Sequence, residues 1–187
     1  MAGDIWFSSD LHFGHEKCCT VFKRDDGTPL RPFASGDEMN EALIERHNEV
    51  VKPQDKWYCL GDVAITQKNL PLVGRLNGSK RLVRGNHDIF PTKKYLEFFK
   101  EVYGVRVLTE FGGLVLTHVP IHPSQLRRFK VNVHGHLHDK LLDEPGYINV
   151  CVEQIDYRPI HIDEILDQAS RFNPNHDFNA FSPGNPG

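Results

Sequence analysis

A short apolar run in the middle of the chain ends abruptly in four residues with chemically versatile side chains. Residues 80–84, Lys-Arg-Leu-Val-Arg, have strand length, and Gly85-Asn86-His87-Asp88 comes directly after them. The glycine permits a sharp turn, and the next three side chains offer an amide oxygen, an imidazole and a carboxylate. The same residues are also common in ordinary turns. Their interpretation therefore depends on the residues at the ends of the other strand-length runs.

Other apolar runs end in the same kind of residue. The polar residues at these ends, Asn86 included, are Asp10, His12, Asp62, Asn86, His118, His136 and His138. Nitrogen and oxygen donors without a thiolate suit two divalent metal ions. Asp62 is the natural bridge between two ions, because one carboxylate has two oxygens. Each histidine alone could be structural, but their recurrence at successive strand ends argues against coincidence.

Helix and strand signals alternate through the first half of the chain. A helix is predicted to begin at the N-cap Ser35, with Glu38 as its capping-box partner, and to end before Pro53. We expect His47 to be a packed or partly exposed residue of this helix rather than a ligand. Further helices are predicted at 69–76 and from Pro91 through 102. This alternation with strands is typical of an α/β layering.

The second half shows short strands and few helical signals. Strands are predicted at 105–109, 113–117, 131–134 and 147–152, and the glycine pair 112–113 indicates a hairpin. These strands predict a more antiparallel sheet. A last helix is predicted to begin at Ile162, and a domain over 1–172 is expected to precede a flexible tail at 173–187.

Composition limits the classes of function. The chain has 187 residues and a formal net charge of −3, so it predicts one domain and gives no strong sign of nucleic-acid binding. The apolar runs are too short to span a membrane, and the first residues do not resemble a signal peptide. The 4 cysteines include no C-x-x-C pair, which predicts reduced thiols in a cytoplasmic protein.

Five motifs, taken in chain order, resemble the signature of the calcineurin-like metallophosphoesterases. The motifs are Asp10-x-His12, Gly61-Asp62, Gly85-Asn86-His87-Asp88, His118 and Gly135-His136-x-His138. The resemblance covers residues 10–138 and implies an α/β fold, a four-layer α/β/β/α sandwich of two mixed sheets with outer helices. The short opening at 10–15 and the ending at 149–153 look like those of the small, uncapped bacterial and phage members.

The resemblance implies a role for each motif residue. The first of two divalent metal ions would be held by Asp10, His12, Asp62 and His138, and the second by Asp62, Asn86, His118 and His136. His87 would donate a proton to the leaving oxygen, Asp88 would orient His87, and a hydroxide bridging the metals would attack phosphorus. We expect Mn²⁺, with Fe, Zn, Ni or Mg as alternatives.

The implied substrate is a small phosphoester or a nucleotide-like molecule. Asp62 is followed by Val-Ala-Ile-Thr, so the phosphate-binding arginine of the protein phosphatases is missing. The chain also has no room for the DNA-gripping domain of the repair nucleases, and no cap interrupts its loops. These features favour diesters, with a phosphomonoesterase or protein phosphatase as the alternative. A non-catalytic scaffold, like the retromer subunit of this fold, is less favoured because His87 and all the ligands are present.

Several charged residues near the motifs are candidates for substrate contact. The candidates are His15, Arg84, His122, Arg127, Arg128 and Lys130. The segment 124–130 lies between two motif-bearing strand ends, so it either rims the site or is simply a solvated basic loop.

Overall fold

The strands of this computed structural model, which describes residues 3–175, form two mixed sheets. In chain order the strands are β1 (Ile5–Ser8), β2 (Lys56–Cys59), β3 (Ser79–Val83), β4 (Glu101–Tyr103), β5 (Arg106–Leu108), β6 (Leu114–Leu116), β7 (Val131–His134), β8 (Tyr147–Asn149) and β9 (Ile160–His161). The first sheet has the order β4-β3-β2-β1-β9, and the second has the order β5-β6-β7-β8. The predicted pair of mixed sheets is confirmed.

Helices and helical turns connect the strands. The helices are α1 (Lys17–Thr20), α2 (Gly36–Val50), α3 (Thr92–Tyr95), α4 (Leu126–Phe129) and α5 (Ile162–Phe172), and 3₁₀ segments lie at Gln67–Arg75, Thr109–Phe111 and Pro123–Gln125. The predicted N-cap of α2 is confirmed, because Ser35 Oγ accepts a hydrogen bond from the backbone N–H of Glu38 at 3.1 Å. Among the described residues, no helix combines the length and apolar character that crossing a bilayer requires.

Parallel pairing dominates both sheets and sets the position of the polar strand ends. β1, β2, β3 and β4 run parallel to one another, and only β9 is antiparallel to its neighbour β1. In the second sheet β6, β7 and β8 are parallel, and only β5 is antiparallel to β6. The prediction of a more antiparallel second half is therefore wrong. Helical turns and loops return the chain to start each new strand in the same direction.

Alternating side chains of the first sheet pack into two apolar cores, one on each face of the sheet. Phe7 and Tyr58 face the second sheet and pack with Leu116 and Val133, whereas Trp57 faces the other way and packs with Leu43 of α2. This alternation follows from the two-residue period of a strand. The predicted position of His47 on the packed face of α2 is confirmed, since its ring meets Trp57 edge-on at 4.7 Å.

Three predicted elements differ from the structure. The helix predicted from Pro91 through 102 lasts one turn, because Val102 instead pairs with Leu82 as part of β4. The segment predicted as a helix at 69–76 is a 3₁₀ segment that contains Pro71, a residue with no backbone N–H to donate. The strand predicted at 147–152 ends at Asn149. Of the predicted tail, residues 176–187 lie outside the described part of the chain.

The cysteines are uncrosslinked in the structure. Cys18, Cys19, Cys59 and Cys151 are all buried and free.

Candidate metal centre

The predicted metal ligands converge where the carboxyl ends of five strands meet. Three of these strands belong to the first sheet and two to the second. Asp10 and His12 follow β1, Asp62 follows β2, Asn86 follows β3, His118 follows β6, and His136 and His138 follow β7. Backbone hydrogen bonds lock neighbouring strand ends together. The N–H of Asp10 donates to the carbonyl of Gly61 at 2.9 Å, and the N–H of Gly135 donates to the carbonyl of His118 at 3.0 Å. This is the edge at which open α/β sheets bind ligands.

The first group of donor atoms surrounds a buried aspartate. His12 Nε2 lies 3.6 Å from Asp10 Oδ1 and 3.6 Å from Asp62 Oδ2. His138 Nε2 lies 3.8 Å from Asp10 Oδ1. Asp10, His12 and His138 each offer a ligand atom within 4.8 Å of the other two. The geometry therefore brings together the four residues expected at the first metal ion.

The second group meets the first at Asp62. His118 Nε2 lies 3.4 Å from Asp62 Oδ2 and 2.8 Å from Asn86 Oδ1. His136 Nδ1 lies 3.0 Å from Asn86 Oδ1. The other oxygen of Asp62, Oδ1, accepts the backbone N–H of His87 at 2.8 Å. A single oxygen, Asp62 Oδ2, therefore faces both groups of donors.

Among the described residues, one buried ligand oxygen, Oδ1 of Asp10, lacks the hydrogen-bond partner that a cation would replace. Asp10 Oδ1 is buried and has no hydrogen-bond partner among residues 3–175, although a buried carboxylate oxygen without a partner is costly. The other oxygen, Asp10 Oδ2, accepts from Ser9 Oγ at 2.6 Å and from the N–H of His136 at 2.9 Å. The unpaired oxygen points at the imidazoles of the first group. Oxygen and imidazole donors of this kind suit Mn²⁺, Fe or Zn ions.

Two of the imidazoles are oriented by partners outside the donor groups. His118 Nδ1 lies 2.8 Å from the carbonyl of Leu60, and His138 Nδ1 lies 3.0 Å from Glu153 Oε1. A carbonyl or carboxylate partner accepts the proton of Nδ1, so Nε2 is the nitrogen that faces the site. This pattern is typical of histidines that bind metals.

Strained backbone is concentrated at the candidate ligands. Left-handed φ angles occur at Asp10 (60°), His12 (49°), Asp62 (55°), His136 (71°) and His138 (49°). Each such conformation costs a non-glycine residue on the order of 1–3 kcal/mol and is retained where the surroundings demand it. The strain turns the side chains that leave the strand ends toward a common point.

Glycines allow the strand ends to approach one another. A Cβ at Gly85 would overlap the carboxylate of Asp62, and a Cβ at Gly135 would overlap Ser9 Oγ and the carboxylate of Asp10. The motif glycines therefore provide space for the buried carboxylates.

The carboxylates and imidazoles of the donor groups stabilise each other's charged forms. Burial alone would raise the pKa of Asp10, but contact with His12 and the nearby His118 and His138 hold it far below its ordinary value. Burial alone would likewise lower the pKa of His118, but its contact with Asp62 and the charge of Asp10 raise it to about 9. The pKa of Asp62 is also lowered against the effect of burial, chiefly by His118. Both carboxylates are thus ionised at pH 7, which is the form that binds metal.

His87 lies on the open side of the site. Its residue is exposed, and its ring meets His12 edge-on with the ring centroids 5.5 Å apart. Its backbone N–H is fixed by the carboxylate of Asp62. Within the described part of the chain its ring makes no hydrogen bond and does not belong to either donor group, so it is free to face a bound molecule.

Asp88 does not contact the ring of His87, contrary to the prediction. Its carboxylate is buried and accepts the backbone N–H groups of Asp62 at 2.9 Å, Val63 at 3.1 Å and Gly85 at 2.8 Å. The side chain turns back toward the strand ends because those N–H groups have no partner in the sheet. Asp88 therefore fixes the loop from which His87 projects, and it does not orient the imidazole.

Arg84 is engaged by the loop that follows His87. Its guanidinium donates to the carbonyls of Asp88 and Phe90, at 3.0 Å for Phe90, and lies over the ring of Tyr95 at 5.3 Å. These contacts occupy the donors that a phosphate would need. The structure therefore gives Arg84 a structural position instead of the predicted substrate contact.

The basic segment lies away from the donor groups. α4, with Arg127 and Arg128, leads through Lys130 into the amino end of β7, whereas the ligands follow its carboxyl end. The N–H of Ile121 donates to Oδ1 of Asn132, the second residue of β7. The chain before His122 has therefore already returned to the amino end of β7. The structure therefore does not bring His122, Arg127 and Arg128 to the donor groups. Arg127 and Arg128 are exposed, which favours the solvated-loop alternative.

His15 is the candidate contact that the structure places beside the ligands. Its ring lies 5.6 Å from that of His12 and 5.5 Å from that of Phe22. Burial, with the charges of His12 and Arg31, lowers the pKa of His15 to about 4, so the ring is neutral at pH 7. Phe22 is 44% exposed. The three rings form a row from the donor groups to the surface.

Two charged residues at the site were not predicted. Glu153 contacts His138, and Arg31 contacts Glu153 and the backbone that bears Asp10. Glu153 follows an apolar run, so the rule that identified the other ligands could have indicated it. Arg31 lies in the irregular segment before α2, where no periodic pattern distinguishes it from an exposed arginine.

Relatives of the chain are found by sequence and by structure. No family model matches the chain. Protein MJ1445 from Methanocaldococcus jannaschii is 34% identical over 175 residues, which cover 87% of this chain and 89% of MJ1445. The gene 66 protein of Mycobacterium phage D29 is 29% identical over 171 residues, covering 74% of this chain and 80% of the phage protein.

A solved structure has the same fold over nearly its whole length. AQ665 from Aquifex aeolicus, a protein of unknown function, aligns with a TM-score of 0.66 and 25% identity, covering 87% of this chain and 97% of AQ665. The five motifs occur in order in this chain and meet at one edge of two mixed sheets. The chain belongs to the same protein family as MJ1445, and its fold and five motifs resemble those of the calcineurin-like metallophosphoesterases.

Proposed function

We propose that the protein is a metal-dependent phosphodiesterase that hydrolyses small phosphodiesters. The observation on which this rests is the position of Asp62 Oδ2, which lies within 3.6 Å of His12 Nε2 and 3.4 Å of His118 Nε2. One carboxylate oxygen between two sets of donors is the arrangement expected of a bridging ligand in a two-metal site.

The two donor groups would each hold one ion. Asp10, His12, Asp62 and His138 would bind the first, and Asp62, Asn86, His118 and His136 the second. When bound, two such ions polarise a phosphoryl group and lower the pKa of water. Among the described residues at this edge, Ser9, Cys59 and Cys151 are all buried, and burial raises the pKa of both thiols well above the ordinary value, so none of the three competes as a nucleophile.

His87 is the general acid in this proposal. Its ring is exposed beside the first donor group, and its backbone N–H is held by Asp62. The backbone is therefore fixed, whereas the ring nitrogens are free to contact a substrate. An imidazolium in this position can give its proton to the leaving oxygen, which contributes roughly 10²–10⁴-fold to the rate.

The positions of the arginines favour diesters over monoesters. A monoester dianion is usually gripped by guanidinium groups. Arg31 is fully buried behind the ligands, Arg84 is held by loop carbonyls, and Arg127 and Arg128 lie at the opposite edge of the second sheet. A diester carries one negative charge, and two metal ions suffice to neutralise it.

The row of rings at His12, His15 and Phe22 suggests where an aromatic part of the substrate lies. The neutral ring of His15 and the exposed ring of Phe22 present aromatic surface that leads directly from the donor groups. A nucleobase or an aryl leaving group can stack on such surface for about 1–3 kcal/mol. We therefore propose nucleotide-like diesters as the substrate class.

Hydrolysis of model esters tests the proposal. With Mn²⁺ present, the protein should cleave bis-p-nitrophenyl phosphate and cyclic nucleotides faster than p-nitrophenyl phosphate. Asp62→Asn should abolish this activity. Asp55→Asn is the matched control, because Asp55 is equally buried but lies at the amino end of β2, bonded to the N–H groups of Asp4 and Lys52. Faster cleavage of the monoester, or equal activity of both variants, would contradict the proposal.

A further inference from the structure

A buried ion pair lies directly behind the first donor group. The side chains of Arg31 and Glu153 are both 0% exposed, and Arg31 Nε lies 2.8 Å from Glu153 Oε1. Glu153 comes after the last strand of the second sheet, whereas Arg31 lies in the segment that precedes α2. The pair therefore connects two distant parts of the chain inside the protein.

Glu153 holds an imidazole of the donor group. The oxygen that accepts from Arg31 also lies 3.0 Å from His138 Nδ1. This contact keeps the proton of His138 on Nδ1 and directs Nε2 toward Asp10. The second oxygen of Glu153 is buried and has no hydrogen-bond partner among residues 3–175. A buried oxygen without a partner is costly, so Glu153 is not placed here for stability alone.

Arg31 holds the loop that presents the other ligands. Its Nη1 donates to the carbonyl of Leu11 at 2.8 Å, and its Nη2 donates to the carbonyl of Asp10 at 2.5 Å. Asp10 and His12, on either side of Leu11, both have left-handed φ angles. The guanidinium satisfies the carbonyls that this conformation turns away from the sheet.

We infer that Arg31 and Glu153 are positioning residues of the first metal ion. Together they fix the ring of His138 and the backbone of Asp10, and among the hydrogen bonds of residues 3–175 neither is bonded to Asn86, His118 or His136. The pair should therefore control the affinity of the first donor group and leave the second nearly unchanged. This inference rests on the proposed two-metal site and adds to it how one of its ions is held.

A paired apolar replacement separates positioning from stability. Replacing a buried ion pair by apolar residues of similar volume is often neutral for stability, whereas removing one partner leaves a buried charge. Arg31→Met with Glu153→Leu should therefore fold. Zn²⁺ titrations, which cause no paramagnetic broadening, would be followed by the coordination shifts of the ring ¹⁵N signals, with His138 reporting the first ion and His136 the second.

The expected result is selective. In the double variant the first ion should bind roughly 10–100-fold more weakly, and the second should change by less than about threefold. Glu153→Gln, which keeps an acceptor for His138, should fall between the wild type and the double variant. The double variant Arg81→Met with Glu101→Leu is the control, because that ion pair joins β3 and β4 without contacting a ligand.

A second readout does not depend on metal. In the metal-free wild type, the ¹⁵N shifts of His138 should show the proton on Nδ1, and this preference should be lost in the double variant. Binding of both ions as in the wild type, equal weakening of both, or an unchanged His138 tautomer would overturn the inference. A wild type that takes up only one ion would instead contradict the proposed function, and the His138 tautomer would still test the positioning role.

Discussion

At the residue scale, Asp62 and His87 are joined by a hydrogen bond. The oxygen of Asp62 that faces neither donor group accepts the backbone N–H of His87 at 2.8 Å. The residue proposed to bridge the metals therefore also fixes the residue proposed to protonate the leaving group. Both can be tested separately, because only Asp62 contributes a ligand atom.

The contribution of His87 should depend on the leaving group. An alkoxide needs a proton as it departs, whereas p-nitrophenolate is stable without one. His87→Ala should therefore lose roughly 10²–10⁴-fold in kcat on an alkyl or nucleoside ester and much less on a p-nitrophenyl ester, with metal content unchanged. Equal losses on both esters, or loss of a metal ion, would show that His87 is not the general acid.

His47 should make the stability of the protein depend on pH. Burial lowers the pKa of His47 to about 4. Within the described residues, ring Nδ1 has no acceptor to which a protonated Nδ1 could donate a hydrogen bond. The unfolded chain, with an ordinary pKa near 6.5, binds that proton more readily. The stabilisation from neutral His47 is thus complete above pH 6.5 and is lost as pH falls toward 4.

Replacing His47 reveals this contribution. The difference in unfolding free energy between the wild type and His47→Gln should shrink by about 1.4 kcal/mol per pH unit below pH 6.5. Urea denaturation of the metal-free proteins between pH 7 and 4.5 measures it. His161→Gln is the control, since that histidine caps α5 at the surface. A difference independent of pH would rule out a buried neutral imidazole.

The sequence predicted which polar side chains converge better than it predicted their surroundings. Asp10, Asp62 and the motif histidines could be recognised because each follows a strand-length apolar run at a motif glycine or loop. His122, Arg127 and Arg128 lie away from the donor groups, because proximity in sequence to a motif does not show at which end of a strand a loop lies. Arg31 was missed because its burial depends on segments distant in sequence.

At the element scale, strand pairing overrode local propensity. The apolar spacing after Pro91 predicted a helix through 102, but the edge of β3 was available, and Val102 pairs with it. The parallel direction of β6, β7 and β8 also could not be predicted from short strands, because α4 and the loops between them carry weak signals. The N-cap of α2 was predictable because it depends on residues within one turn.

The junction between the strand β3 and its loop should not tolerate a side chain. A Cβ at Gly85 would overlap Asp62, whereas a Cβ at Gly104 would meet nothing within 4 Å. Gly85→Ala should therefore displace the carboxylate proposed to bridge the ions and weaken the binding of both ions at least about tenfold. Gly104→Ala should leave the affinity for both ions unchanged. Calorimetric titration with Mn²⁺ compares the two. Wild-type affinity in Gly85→Ala would show that the close approach is not required.

At the scale of the whole molecule, the proposed metal site joins the two sheets. Asp10, His12, Asp62 and Asn86 follow strands of the first sheet, and His118, His136 and His138 follow strands of the second. The apolar core between the sheets holds them together without metal. Ions bound at their common edge add a second connection, so metal binding and global stability should be linked.

Metal should raise the temperature of unfolding. A ligand at 100 times its Kd stabilises the folded state by about 2.7 kcal/mol per site, which corresponds to a shift of roughly 5–10 °C in a domain of this size. Scanning calorimetry with Mn²⁺ and then with excess EDTA measures the shift and its reversal. Asp62→Ala should show no shift, and Asp55→Ala should show the full shift from a lower starting temperature. A shift that survives in Asp62→Ala would place the metal elsewhere.

The stoichiometry and separation of bound Mn²⁺ test the central claim most directly. After saturation and removal of free metal, elemental analysis should find two ions per chain, and electron paramagnetic resonance should show a coupled pair, as expected for ions roughly 3.5–4 Å apart. Asp62→Ala should lose the coupled signal and both ions, whereas His12→Ala should chiefly lose one. At most one ion per chain in the saturated wild type, or two ions without coupling, would contradict a shared site at Asp62.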